Sequence, residues 1–202
     1  LHYPLRRQRQ MCIRDRDMLA ALESAEHFIF LEYFIIEEGH MFHQIEDILE
    51  KKVKEGVEVR LIYDDVGCIG TLPPRYYKQL QKKGIKCAAF NPFRPLLSVI
   101  MNNRDHRKIF VVDGAVGFTG GINLADEYIN EVKRFGYWKD TGVRIEGEAV
   151  WSLTSMFLSM WNYIVHSTED YSRFMPAQHQ KAPFENDAVS YTHLTLPTKR
   201  IV

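Results

Sequence analysis

The chain has 202 residues, 46% hydrophobic and 26% charged, and its 26 Lys+Arg balance its 26 Asp+Glu. That length allows one sizeable core or two small ones, and the composition is that of a soluble globular domain. The absence of a basic excess speaks against a general nucleic-acid binder, although a local basic patch stays open.

The two ends read as foreign to the rest. Residues 1–16, with Met11-Cys12-Ile13-Arg14-Asp15-Arg16, and residues 188–202, with Tyr191-Thr192-His193-Leu194, carry no periodicity that joins the interior. Both resemble translated sequencing-adapter sequence. Residues 17–187 are therefore expected to form the folded domain, as a fragment with native sequence missing on both sides. Cys12, Cys68 and Cys87 show no metal-ligand spacing and read as reduced thiols of a cytosolic protein. Positions 150–165, the most apolar helical stretch, are too few to span a bilayer, and no apolar leader follows the basic N-terminus.

Between the tails, helix and strand alternate. Asp17 to Glu26 predicts a short helix with Leu19, Leu22 and Ala25 on one face. His27 to Ile36 predicts a buried strand. Phe42, Ile45, Ile48, Leu49 and Val53 mark an amphipathic helix from His40 to Glu55 that Gly56 ends. A strand over Val57–Tyr63 follows, then a loop at Asp64-Asp65-Val66-Gly67, a helix from Pro74 to Lys83, and a strand from Ile85 to Phe90. This βαβαβ order predicts an α/β fold with a mixed, largely parallel sheet flanked by helices. Further on, Leu124 to Ile129 reads as a short helix, Asp140 to Glu146 as a strand and Glu148 to Val165 as the last long helix.

One stretch departs from that rhythm. Asp105-His106-Arg107-Lys108-Ile109-Phe110-Val111-Val112-Asp113 is followed by Gly120-Gly121-Ile122-Asn123. Asp113-Gly114 between two apolar runs signals a two-residue hairpin with a type I′ turn. That register pairs Val112 with Ala115, Lys108 with Thr119 and His106 with Gly121. Two residues apart on a strand, His106 and Lys108 project from one face. A nucleophilic imidazole beside an ammonium suits attack on a phosphodiester, with Gly121 leaving room for a phosphate to approach the backbone. Asp113 has odd spacing from both and sits in the turn, so it is expected to serve the turn rather than touch His106.

The pattern resembles the HKD motif of the phospholipase D superfamily. Leu31-Glu32-Tyr33-Phe34-Ile35, Asn91-Pro92-Phe93-Arg94-Pro95, Met101-Asn102-Asn103-Arg104-Asp105, Asn123-Leu124-Ala125-Asp126-Glu127-Tyr128 and Trp138-Lys139-Asp140-Thr141-Gly142 are similar to bacterial cardiolipin synthases. The likeness runs from about Glu23 through Tyr163. It implies a phospholipase D-like half-domain that works without a metal or other cofactor. His106 would attack phosphatidylglycerol, release glycerol and pass the phosphatidyl group to a second phosphatidylglycerol. Lys108, Asn123 and the backbone near Gly121 would hold the phosphoryl oxygens. The expected catalytic set is His106, Lys108, Asp113 and Asp140, with Asp140 orienting the imidazole.

Glu32 is the second choice for that orienting role, or else an edge residue facing water. Arg94 and Arg104 are candidate contacts to lipid phosphate, with Arg107 facing away from His106. Asp64 and Asp65 read as solvated loop acids, and Trp151, Phe157, Met160 and Trp161 as core rather than lipid contacts. His2, His27, His40, His43, His166, His179 and His193 have no lysine two residues later, so the motif occurs once. The superfamily joins two such motifs, the second supplying a general acid. A second half-domain, or a homodimer, is thus an expected partner, together with a membrane surface and no nucleic acid. The resemblance places the parent protein at the cytoplasmic side of a bacterial cell membrane. A phosphodiester hydrolase working as a homodimer, or an inactive fragment, is the alternative.

Overall fold

The computed structural model describes residues 16–93, 103–134 and 136–175. A first helix, α1, covers residues 16–23. After it come β1 (Phe28–Tyr33), α2 (His40–Lys54), β2 (Glu58–Asp64), α3 (Tyr77–Lys82) and β3 (Lys86–Phe90). The hairpin strands are β4 (Ile109–Val112) and β5 (Val116–Gly120). β6 (Gly142–Glu146) and α4 (Val150–Val165) follow.

These elements build one six-stranded sheet in the order β3-β2-β1-β4-β5-β6. β1 and β2 pair in parallel, as do β2 and β3, because α2 and α3 return the chain to the same end of the sheet each time. The pairings β1–β4, β4–β5 and β5–β6 are antiparallel. The sheet is therefore mixed, as the element order predicts, but parallel pairing stops at β1. The hairpin region supplies the antiparallel half.

Side-chain alternation sorts the two faces. Ile29, Leu31, Leu61, Cys87, Phe110 and Val112 pack under α1, α2 and α3 with Leu22, Phe42, Ile45 and Leu49. Phe28, Phe30, Ile62, Ile109 and Val111 pack under α4 with Leu153, Phe157 and Trp161. Phe157 and Trp161 are core, as their helical spacing suggests, and Phe157 stacks on Phe30 with centroids 4.6 Å apart. The α4 face also buries Arg60, which pairs with Glu58 and Glu169 and lies 5.1 Å from the Trp161 and Phe174 rings.

The hairpin forms with one correction. Asp113 and Gly114 both have positive φ (52° and 64°), and Ala115 N–H donates to Val112 O, as a type I′ turn requires. The ladder, however, pairs Val112 with Val116 and Ile109 with Thr119. Ala115 is an extra residue at the turn, so every expected partner is displaced by one. The ladder ends at Ile109, and residues 103–108 carry no regular strand pairing. His106 does not face Gly121.

Candidate active site

His106 and Lys108 emerge where the parallel strands β1 and β2 end, the end at which α/β sheets gather their sites. Phe34, the first residue beyond β1, organises both. Its ring lies 3.9 Å from the His106 ring, centroid to centroid and 20° from parallel, and the Lys108 ammonium sits 5.6 Å from its centroid. A Cβ at Gly67 would fall 2.3 Å from Phe34 O and 2.9 Å from its ring. Glycine at 67 is thus what lets the loop after β2 close on the phenylalanine. Nothing in the sequence marks Phe34 for this role, since it looks like one more apolar residue of the strand.

Lys108 Nζ donates to His106 O at 2.6 Å, leaving two of its three protons for a ligand. Desolvation pulls its pKa below the usual lysine value, against the opposing charges of Asp105 and Asp140. The His106 ring is exposed, and no side chain among the described residues hydrogen-bonds to it.

Asp140 lies close by without touching the imidazole. Its carboxylate accepts from Thr141 N at 2.6 Å and Trp138 Nε1 at 3.4 Å, two residues before β6 begins. A Cβ on Gly121 would come within 2.5 Å of that carboxylate, so Gly121 gives room to Asp140 rather than to the imidazole. The Gly121 N–H points at Thr141 O, 3.4 Å away. Asn123 is buried, with Oδ1 accepting from Ile35 N and Nδ2 donating to Tyr128 OH. One Nδ2 proton of Asn123 has no counterpart in those bonds.

Asp113 stands at the other end of β4. Its carboxylate accepts from Glu26 N, His27 N and Phe28 N at 2.7–2.8 Å and so fixes the start of β1. That is a turn-and-strand anchor, away from His106 as its parity predicts.

Arg94 lies outside the described residues. Arg104 is bonded to Asp64 Oδ1 at 3.2 Å and to Asn91 O, with its side chain only 12% exposed. It is part of the scaffold and not an open contact for lipid phosphate. Asp64 is fully buried at the end of β2, contrary to its reading as a solvated acid, and accepts from Asp105 N at 3.0 Å and Gly67 N at 2.9 Å. Asp65 accepts from Phe93 N.

Glu32 is not an edge residue. It sits in β1 between β2 and β4, with 0% exposure. Arg107 Nη2 lies 2.7 Å from its Oε1, and Arg107 also binds both oxygens of Asp105. Burial above all, then the hydrogen bond and charge of Asp105, push the Glu32 pKa up to about 10, with Arg107 opposing. Burial also works to raise Asp105. There the Glu32 hydrogen bond and the Arg107 charge outweigh it and hold that carboxyl below the ordinary aspartate value. Arg107 faces away from His106, as expected.

An exposed histidine and a neighbouring lysine at the strand ends of a mixed, helix-flanked sheet agree with a phospholipase D-like domain. Residues 18–161 match the family described as "Cardiolipin synthase, PLD-like domain", and the chain belongs to it. It is 58% identical over 146 residues to an uncharacterized protein of Streptococcus mutans, covering 72% of this chain and 32% of that one. A cardiolipin synthase of Alkalihalophilus pseudofirmus is 46% identical over 147 residues, covering 72% of this chain and 29% of that one. The chain thus spans about a third of the length of these relatives. NucT from Helicobacter pylori has the same fold, with a TM-score of 0.56 at 14% identity over 77% of this chain and 89% of NucT. Among the described residues, no helix is long and apolar enough to cross a membrane.

Proposed function

We propose that the chain is the half of a cardiolipin synthase that carries the nucleophile. The exposed face of His106, stacked on Phe34 beside the Lys108 ammonium, is the observation that carries this reading. An imidazole nitrogen of His106 attacks the phosphorus of phosphatidylglycerol, the P–O bond to glycerol breaks, and a P–N bond forms. The departing alkoxide takes a proton from a general acid on a second half-domain. The primary hydroxyl of another phosphatidylglycerol then attacks phosphorus, loses its proton to that same group and breaks the P–N bond, giving cardiolipin. Lys108 and the spare Asn123 N–H serve the phosphoryl oxygens, joined by Gly121 N–H if it swings from Thr141 O. Asp140 orients the imidazole only after turning from Thr141 N–H. Asp113 supports the site through the start of β1.

A second reading has an observation of its own. The fold of this single unit is shared with NucT over 89% of that chain. A single half-domain pairing with its own copy and passing the phosphatidyl group to water is the corresponding reaction. Incubation of the full chain with phosphatidylglycerol vesicles, beside a His106→Ala control, separates the two. Cardiolipin with glycerol supports transfer, and phosphatidic acid with glycerol supports hydrolysis. An unchanged lipid pool, with or without an added second half-domain, would end both.

A further inference from the structure

The nucleophile sits on a segment that the sheet does not hold. Regular pairing ends at Ile109, and residues 103–108 have no ladder. The side-chain bonds that replace the ladder start on the ends of two buried strands. Asp64, the last residue of β2, takes Asp105 N–H and the Arg104 guanidinium. Glu32, in β1 opposite Ile109, faces the pair formed by Asp105 and Arg107. Outer support comes from Thr119 Oγ1 donating to Lys108 O at 2.8 Å and Asn91 Nδ2 donating to Asn103 O at 3.1 Å.

We infer that Glu32 is a positioning residue for His106. By holding Asp105 and Arg107 on the α4 side of the sheet, it turns the alternate residues, His106 and Lys108, to the opposite side, against Phe34. This role rests on His106 being the working residue of the proposed function.

Two observations favour it over a merely structural acid. Both Glu32 oxygens are buried without a properly aligned donor, since Arg107 Nη2 is near but off-line. Two carboxylates cannot bond to each other, whereas a proton on Glu32 makes it a donor to Asp105 and resolves the contact. The raised Glu32 pKa agrees with a carboxylic acid in that place. The set is then one neutral acid, one carboxylate and one guanidinium. Position 32 also interrupts an otherwise apolar strand, Phe-Ile-Phe-Leu-Glu-Tyr. An aliphatic side chain there would continue the core, and such replacements of buried polar groups are often neutral or stabilising. The acid therefore adds geometry where it adds little stability.

The test reads the His106 ring without turnover. Its protons lie over the Phe34 ring and should be displaced upfield by the ring current, with His106→Ala identifying the signal by proton NMR of the full chain. Glu32→Gln keeps a donor toward Asp105 and should leave the displacement intact. Glu32→Leu should at least halve it while the melting temperature stays the same or rises. Arg107→Met, a change at a partly exposed position, should also halve it and serves if Glu32→Leu does not fold. A His106 signal left at its wild-type position in a folded Glu32→Leu chain, or in Arg107→Met where only that variant folds, would overturn the role. So would loss of the displacement in a folded Glu32→Gln. Failure of lipid transfer with these shifts as expected would strike the proposed function alone.

Discussion

The carboxylates around β4 have different tasks, set by what each touches. Asp113 accepts three backbone N–H groups at the start of β1 and itself has a φ of 52°. Asp113→Ala removes all three bonds and leaves a strained residue, which should cost about 2–4 kcal/mol in a denaturant melt. Asp113→Asn keeps one acceptor oxygen and tolerates the left-handed backbone, so its loss should be less than half as large. Transfer activity per folded molecule should be unchanged in both; a loss at full folding would place Asp113 in the chemistry. Gly67 makes the converse case. Gly67→Ala meets a backbone oxygen at 2.3 Å, which cannot swing aside, and must push Phe34 off His106. A displacement near 1 Å should lower transfer by roughly 10- to 100-fold, and wild-type turnover in Gly67→Ala would mean that the stack is idle.

At the scale of elements, the β1–β4 pair carries a pH signature. With its pKa held near 10, folded Glu32 keeps its proton at neutral pH, while the unfolded chain, with an ordinary value of 4.5, releases it. Between about pH 4.5 and 10 the folded state therefore binds one more proton, and this group's stabilisation is lost as pH rises. The slope is about 1.4 kcal/mol per pH unit at most. Asp105, held below its ordinary value, acts in the opposite sense but only at acid pH. Glu32→Gln removes the slope, so its melting temperature should gain on wild type steadily from pH 5.5 to 8.5; parallel curves would mean that Glu32 is ionised throughout.

The same pair marks how far the sequence could be read. Strand and helix positions follow from period and breakers, and the turn from Asp113-Gly114. The extra residue Ala115 is invisible to that reading because a type I′ turn and the same turn with a bulge use the same dipeptide. Asp64 and Phe34 are not legible in this way because each takes its role at or just past a strand end, largely from partners more than thirty residues away. The parity of Arg107 and His106 survived because alternation depends on the local backbone and not on register.

For the whole molecule, the decisive quantity is what faces His106. Its ring is stacked on Phe34 and exposed, and no side chain among the described residues other than the neighbouring lysine stands ready to protonate a leaving alkoxide beside it. General acid assistance is worth about 10²–10⁴ in rate. If the missing group belongs to a second half-domain, the chain alone should attack lipid slowly at any concentration. Addition of the remaining segment of a relative such as the Alkalihalophilus cardiolipin synthase should then raise transfer by about that factor. The gain should vanish with His106→Ala while binding of the two pieces persists. Homodimerisation predicts something else: activity of the chain alone rising with the square of its concentration, with no gain from the added segment. Sedimentation of the same samples assigns the rates to one assembly or the other. A chain that reaches full speed as a monomer would show that this half-domain contains its own acid, with Asp140, whose charge already acts on Lys108, the first group to replace.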